Sequence, residues 1–159
     1  MRLNNQKSKK FVLSLYFVFA VLFVFASISF DLIRSLIGIG RYKFIVLIGV
    51  LILTLLFAHR VSKYFEYDSD GNVLVLMNKG MLLSEFFNYR ENRAEFPKSR
   101  LLYYKLNNYG VYKSLNIYIK SNDNRQKRLR FNVTLVSNKK LKYLKQSLDK
   151  VVKQNKGIV

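Results

Sequence analysis

The side chains able to do chemistry in this chain are mostly cations. Arg125, Lys127, Arg128 and Arg130, followed by Lys139, Lys140, Lys142 and Lys145, form its densest charged group. All eight are expected near the turn before the last strand and the start of a C-terminal helix. At about 1 kcal/mol per basic residue close to an anionic leaflet, four or five of them would hold such a surface against lipid headgroups by several kcal/mol. A solvated face of a lysine-rich protein accounts for the same residues equally well. Nucleic acid would also be drawn to these charges, with Tyr103, Tyr104, Tyr109, Tyr112 and Tyr118 available to stack on bases. Tyrosine on strands is more often packing, and tethering to a bilayer argues against nucleic acid.

The inventory for catalysis is poor. Cysteine is absent, which removes disulfides, thiolate nucleophiles and Cys-based zinc sites. One histidine, His59, leaves no room for a His-rich metal site or a Ser-His-Asp triad. Asp68, Asp70 and Asn72 have the odd-position spacing that opens a calcium loop, but Val73 stands where such a loop needs glycine and Lys79 where it needs a bidentate glutamate. A hairpin turn explains them better. Glu85, Glu91 and Glu95 are scattered acids without a partner motif, and no glycine loop able to cradle phosphate is present. Asn132-Val133-Thr134 matches a glycosylation sequon but falls in an expected cytoplasmic strand. The expectation is a non-enzymatic protein, with no cofactor and no metal.

The elements that must carry these charges divide into an anchor and a domain. A net charge of +19 beside 50% hydrophobic residues means that the average conceals two different regions. Residues 11–30, FVLSLYFVFAVLFVFASISF, hold twenty positions without a charge. That matches the ~20 residues that cross a ~30 Å hydrocarbon core as a helix. Arg2, Lys7, Lys9 and Lys10 precede it, as they would in a signal peptide, but the run exceeds the usual ~7 to 15 residues and a second apolar segment follows.

That second segment, FIVLIGVLILTLLFA at 44–58, has fifteen uncharged residues and needs its flanks to reach across. Tyr42 and Lys43 before it, and His59 and Arg60 after it, can extend to the interface and lengthen the span to about 42–59. The connector DLIRSLIGIGRYK would turn at Gly38 and Gly40, making a transmembrane helical hairpin over 11–59 behind a basic cytoplasmic leader, 1–10. Four basic residues precede the first span, three lie in the connector, and Arg60 and Lys63 follow the second. The positive-inside rule therefore puts both termini in the cytoplasm.

From residue 60 to 159 the chain carries 21 Lys or Arg against 8 Asp or Glu, and its pattern is strands followed by a helix. Segments 61–68 and 72–78 flank Ser69-Asp70-Gly71, a tight-turn sequence. A third strand is expected at 81–90, and Pro97 should break or edge the sheet. Residues 101–107 resume as a strand, with a turn at Asn107-Asn108-Tyr109-Gly110. In 111–120, Leu115, Ile117 and Ile119 alternate with Asn116, Tyr118 and Lys120; in 127–135, Leu129, Phe131, Val133 and Leu135 alternate with Arg128, Arg130, Asn132 and Thr134. These two should form an antiparallel hairpin, buried on one face and wet on the other. The period then changes, and Leu141, Leu144, Leu148, Val151 and Val152 make one stripe of a helix at about 138–154, capped by Ser137 or Asn138.

Taken together, the hairpin KYFEYDSDGNVLVLMNKG, the passage FPKSRLLYYKL and the pair SLNIYIK and KRLRFNV before the helix resemble small bacterial two-span membrane proteins carrying a pleckstrin-homology-like (PH-like) domain. The resemblance covers nearly the whole chain and rests on architecture rather than on an invariant motif. It implies an α+β fold: the two-helix hairpin, then a bent β-barrel or sandwich of six to seven antiparallel strands capped by the C-terminal amphipathic helix. Six strands are clear, and a seventh would be 93–96. The resemblance further implies a role in binding or assembly at the cytoplasmic face of the bacterial inner membrane, with membrane lipid or a protein partner, possible as a homo-oligomer. The alternative is an accessory subunit of a larger membrane complex, recognised through its spans.

Overall fold

The structure is a computed structural model of the whole chain, and it describes residues 1–37, 43–81, 92–121 and 125–157. The expected turn at Gly38 and Gly40 and nearly all of the strand expected at 81–90 lie outside these residues.

A three-residue strand at 2–4 is followed by two long helices. Helix α1 spans Ser8–Ile37 and α2 spans Lys43–Val61. The boundary expected at Phe30 is corrected: α1 continues through Asp31 and Arg34 to Ile37, because Leu32, Ile33, Leu36 and their neighbours include no helix breaker before Gly38. Among the described residues one helix, α1, is long and apolar enough to cross a membrane, over Ser8–Ser29. Among the described residues α2 contributes a shorter apolar stretch, Ile48–Val61, so of the two expected spans only the first is clear by itself. Only α1 carries a charge-free run of full crossing length without help from its flanks.

The described residues form seven antiparallel strands, in the order β1 Arg2–Asn4, β2 Lys63–Asp68, β3 Val73–Gly80, β4 Asn92–Pro97, β5 Leu101–Asn108, β6 Lys113–Lys120 and β7 Gln126–Asn132. They form two sheets, β1-β2-β3-β4 and β5-β6-β7. The β2–β3 hairpin turns on Gly71 at φ 66°, and the β5–β6 hairpin on Gly110 at φ 74°, a region open to glycine because it has no Cβ. Pro97 ends β4, which pairs with β3 alone, so the proline sits on an edge strand where its missing N–H costs nothing.

The leader at 1–10 is not a free basic segment. Its residues 2–4 are the edge strand of the first sheet, with Leu3 opposite Tyr67 and buried in the core. Alternation accounts for this: Leu3 is the one apolar side chain between Arg2 and Asn4, and it completes the face made by Phe65, Tyr67, Leu74 and Leu76.

The two sheets close over a core in which Phe65 and Phe131 meet edge to face at 6.3 Å between centroids. Helix α3, Asn138–Asn155, seals it with Leu141, Leu144, Leu148 and Val151, all buried. Its start is capped as expected, the Ser137 side chain accepting from the Lys140 N–H. Polar contacts fix its pose: Tyr67 and Ser147 share a hydroxyl hydrogen bond at 2.9 Å, Tyr104 donates to Asp149 at 2.7 Å, and Asn155 donates to the Leu101 carbonyl at 2.8 Å. The wet face expected for β6 is only partly wet, since Ser114 and Asn116 are buried between the neighbouring strands β5 and β7.

Candidate functional site

The junction between the helices and the sheets is built by asparagines. After β1, the Asn5 side chain accepts the Phe65 N–H at 2.8 Å and donates to the Lys63 carbonyl at 3.0 Å. Ser8, at the start of α1, donates to the Leu135 carbonyl at 2.9 Å. At the end of α2, Asn132 of β7 donates to the Arg60 carbonyl at 2.9 Å, satisfying a C-terminal helix carbonyl that has no partner within the helix. Asn132 is itself clamped by Asn78 of β3, which donates to the Asn132 carbonyl at 3.0 Å and accepts its N–H. Asn92 of β4 donates to the Arg130 carbonyl at 2.9 Å. Thus the first sheet, the second sheet and α2 meet at one corner.

That corner encloses an open cavity of about 600 Å³, lined by Leu56, His59, Arg60, Lys63, Asn78, Asn92, Tyr112, Arg130 and Asn132. Three of these side chains, Arg60, Lys63 and Arg130, are cations, and no carboxylate lines it among the described residues. The Arg130 guanidinium lies 5.6 Å from the Tyr112 ring centroid, a cation–π distance. The charged side chains that line the cavity are therefore cationic, and Leu56, a helical turn before Arg60, gives it an apolar wall.

The eight cations singled out from the sequence are not one patch. Arg125 precedes β7, and Lys127, Arg128 and Arg130 lie on it, all exposed. Lys139, Lys140, Lys142 and Lys145 lie on α3, which begins beyond the other end of the strand. At 3.3 Å per residue, Gln126 and Asn132 are about 20 Å apart, so Arg125 and Lys127 stand well away from the helix start. Arg128 and Arg130 pair with Tyr118 and Asn116, on the face of the sheet opposite the Leu115, Ile117 and Phe131 face that joins the α3 stripe in the core. Lys140 is spent on structure, donating to the Asn4 carbonyl and tying α3 to β1. Of the eight, Arg130 reaches the cavity.

Sequence reading missed Asn78 and Asn92, named Tyr112 only as a base-stacking candidate, and put Asn132 on a wet face, whereas it is buried. A signal was available in Asn78 and Asn132, each placed where strand alternation calls for a buried residue or ends its run, but nothing local says that they would meet.

A second polar group decorates the outer face of the first sheet. Glu66 accepts from Arg2 at 2.7 Å and from Tyr64 at 2.8 Å. Burial works against ionisation of Glu66, yet the hydrogen bonds from Arg2 and Tyr64 outweigh it and hold the carboxyl below its ordinary range. Burial, then the hydrogen bond to Glu66, pushes the Tyr64 phenol up to about 12. Asp68 accepts the Asp70 N–H at 2.9 Å, so the would-be calcium loop is an Asx turn. Among the described residues no group of three or more metal-ligating side chains occurs.

Comparison of the chain with protein-family models, with curated proteins and with solved structures gives no match. Among the described residues the chain has an α+β architecture, with one helix long and apolar enough to cross a membrane and a two-sheet, seven-strand domain closed by a C-terminal helix.

Proposed function

We propose that this chain is a non-enzymatic, membrane-anchored binding module, its two-sheet domain held against the cytoplasmic face through α1 and α2. The observation that carries the reading is the pairing of β1 with β2. Residues 2–4 precede both helices and residues 63–68 follow both, yet Leu3 lies opposite Tyr67 in one sheet. Both flanks of the apolar segment must therefore share one side of any bilayer it enters. If α1 crosses, α2 has to bring the chain back. Cleavage after α1 as a signal sequence would strip the sheet of an edge strand and the core of Leu3.

Several features support a lipid environment. Phe17, Phe25 and Ile28 of α1 are 71%, 66% and 72% exposed, and Ile45, Leu53 and Leu56 of α2 are exposed as well. Helices apolar on all sides have their surface matched by hydrocarbon rather than by water. Because both flanks share a side, the charge comparison sharpens: Arg2, Lys7, Lys9, Lys10, Arg60 and Lys63 stand against Arg34, Arg41 and Lys43 in the connector, which favours the cytoplasm for the domain. The division into four and three strands with a closing C-terminal helix fits a PH-like domain whose first strand is separated from the second by the membrane segment. Binding of anionic lipid or a protein partner then follows from proximity, since the tether supplies a high effective concentration.

Single-cysteine labelling tests the topology directly, the chain having no cysteine of its own. With a membrane-impermeant maleimide, Lys7→Cys and Lys150→Cys are expected to be shielded in intact cells and labelled in inverted vesicles, with Ser35→Cys the reverse. Labelling of Lys7→Cys and Lys150→Cys from opposite sides would overturn the reading.

A further inference from the structure

We propose that the cavity at the α2–β3–β7 corner binds the phosphate of an anionic phospholipid headgroup. This deepens the membrane reading above and rests on it. Three observations converge. The cavity carries Arg60, Lys63 and Arg130 with no carboxylate among the described residues, so its charge selects anions. Its position is set by the last turn of α2, where Arg60 and Lys63 follow directly on an apolar helix, and that places it at headgroup depth if α2 enters the bilayer. Its wall combines guanidinium and ammonium groups with Leu56 toward the membrane, the order in which a phosphate and its glycerol carbons would meet it.

One term opposes binding. The C-terminus of a helix is its negative end, and α2 directs that end at the site. The structure offsets this: Asn132 donates to the Arg60 carbonyl at 2.9 Å and Ser62 continues the hydrogen bonding by donating to Ala58 at 2.8 Å. Asn132 is fixed in turn by Asn78, so the carbonyls are occupied by a rigid donor rather than left facing an anion. Arginine at two of the three cationic positions suits a phosphate, whose oxygens match the guanidinium fork. The Arg130 guanidinium also lies within cation–π distance of the Tyr112 ring, which helps to hold it at the cavity.

The site differs from a diffuse basic surface in what it predicts for mutagenesis. Removing a cavity cation should lower anionic selectivity by about fivefold per charge, whereas removing Arg128, Lys139 or Lys142 should leave it nearly unchanged.

The test uses the full chain in nanodiscs, with spin-labelled phosphatidylglycerol and phosphatidylcholine as probes and the motionally restricted fraction as the readout. The expected result is a preference for phosphatidylglycerol that Arg60→Gln and Arg130→Gln each reduce and that Arg60→Lys, which keeps the charge but loses the fork, reduces less. A set carrying Arg128→Gln, Lys139→Gln and Lys142→Gln should keep the preference. Tyrosine near-UV circular dichroism of each variant separates lost binding from lost folding, and Arg130→Gln, at an exposed residue, keeps the test decisive if Arg60→Gln unfolds. Loss of preference in the Arg128, Lys139 and Lys142 set, with cavity variants unaffected, would overturn the cavity site and leave lipid binding standing. Absence of any preference in the native chain would defeat lipid binding altogether, while the labelling experiment still judges the anchor independently. Displacement of the labelled lipid by millimolar inorganic phosphate, with no difference between the two lipids, would assign the site to a soluble anion and overturn the headgroup.

Discussion

Asn5 and Phe65 are joined by two hydrogen bonds in opposite directions: the Phe65 N–H donates to the Asn5 side-chain oxygen at 2.8 Å, and the Asn5 N–H donates to the Phe65 carbonyl at 3.2 Å. Sixty residues and two helices separate them in the chain. Their pairing fixes the domain to the root of α1 as well as to that of α2, so the domain has two covalent routes into the apolar segment and one shared base.

Replacing Asn5 by Leu should leave the Phe65 N–H and the Lys63 carbonyl without their partner in a site where Asn5 is 3% exposed. The cost is expected to be about 1–3 kcal/mol. Hydrogen exchange read by mass spectrometry should show β1 and the facing half of β2 losing protection while the β5–β7 sheet keeps it. Uniform loss across both sheets, or none, would contradict a local clamp.

Asn78→Ala should be more damaging than Asn92→Ala. Asn78 serves both the N–H and the carbonyl of buried Asn132, whereas Asn92 is exposed and makes one bond to the Arg130 carbonyl. A loss of about 2–3 kcal/mol against under about 1 kcal/mol is expected in denaturant unfolding of the detergent-solubilised chain. Equal effects would mean that the corner is not organised around this pair.

Acid should loosen β1. Glu66 is held below its ordinary range by Arg2 and Tyr64, so its contribution is present above the unfolded-state value of about 4.3 and is lost as pH falls through the lower folded value. Protection of β1 should therefore fade as pH falls below about 4.3 in the native chain, and Glu66→Gln should weaken that dependence, the remainder belonging to Asp70, whose carboxyl is lowered by the Met1 ammonium. Tyr64 acts at the other extreme. Its phenol, raised to about 12, contributes below about pH 10 and ceases to do so as pH climbs through the folded value. A Glu66→Gln variant that retains the full acid response would refute the assignment.

Leu148→Ala removes a side chain with no exposure from the middle of the α3 stripe and should cost about 2–5 kcal/mol, with Lys150→Ala, on the exposed face, changing stability by less than about 0.5 kcal/mol. Thermal unfolding followed by tyrosine circular dichroism measures both. Similar shifts for the two would mean that α3 does not close the core.

Local pattern and residue type were enough to determine α3, a cap at Ser137 or Asn138, the Gly71 and Gly110 turns and the buried Leu115, Ile117 and Phe131, because each depends on neighbours within a few residues. The same holds for the charge-free length of α1. Local pattern could not show that residues 2–4 form a strand, since a three-residue segment has no period to read and its partner lies beyond both helices. Nor could it show the corner. Asn78, Asn92 and Asn132 are ordinary strand residues until two sheets close on one helix end and make them a clamp, and Arg60, Lys63 and Arg130 become one site through that closure. Neighbouring cations in sequence were meanwhile carried apart, to a strand face and a helix on opposite sides of a sheet. Composition determined how much positive charge the chain carries; where that charge converges was decided by contacts between residues some seventy positions apart, such as Arg60 and Asn132.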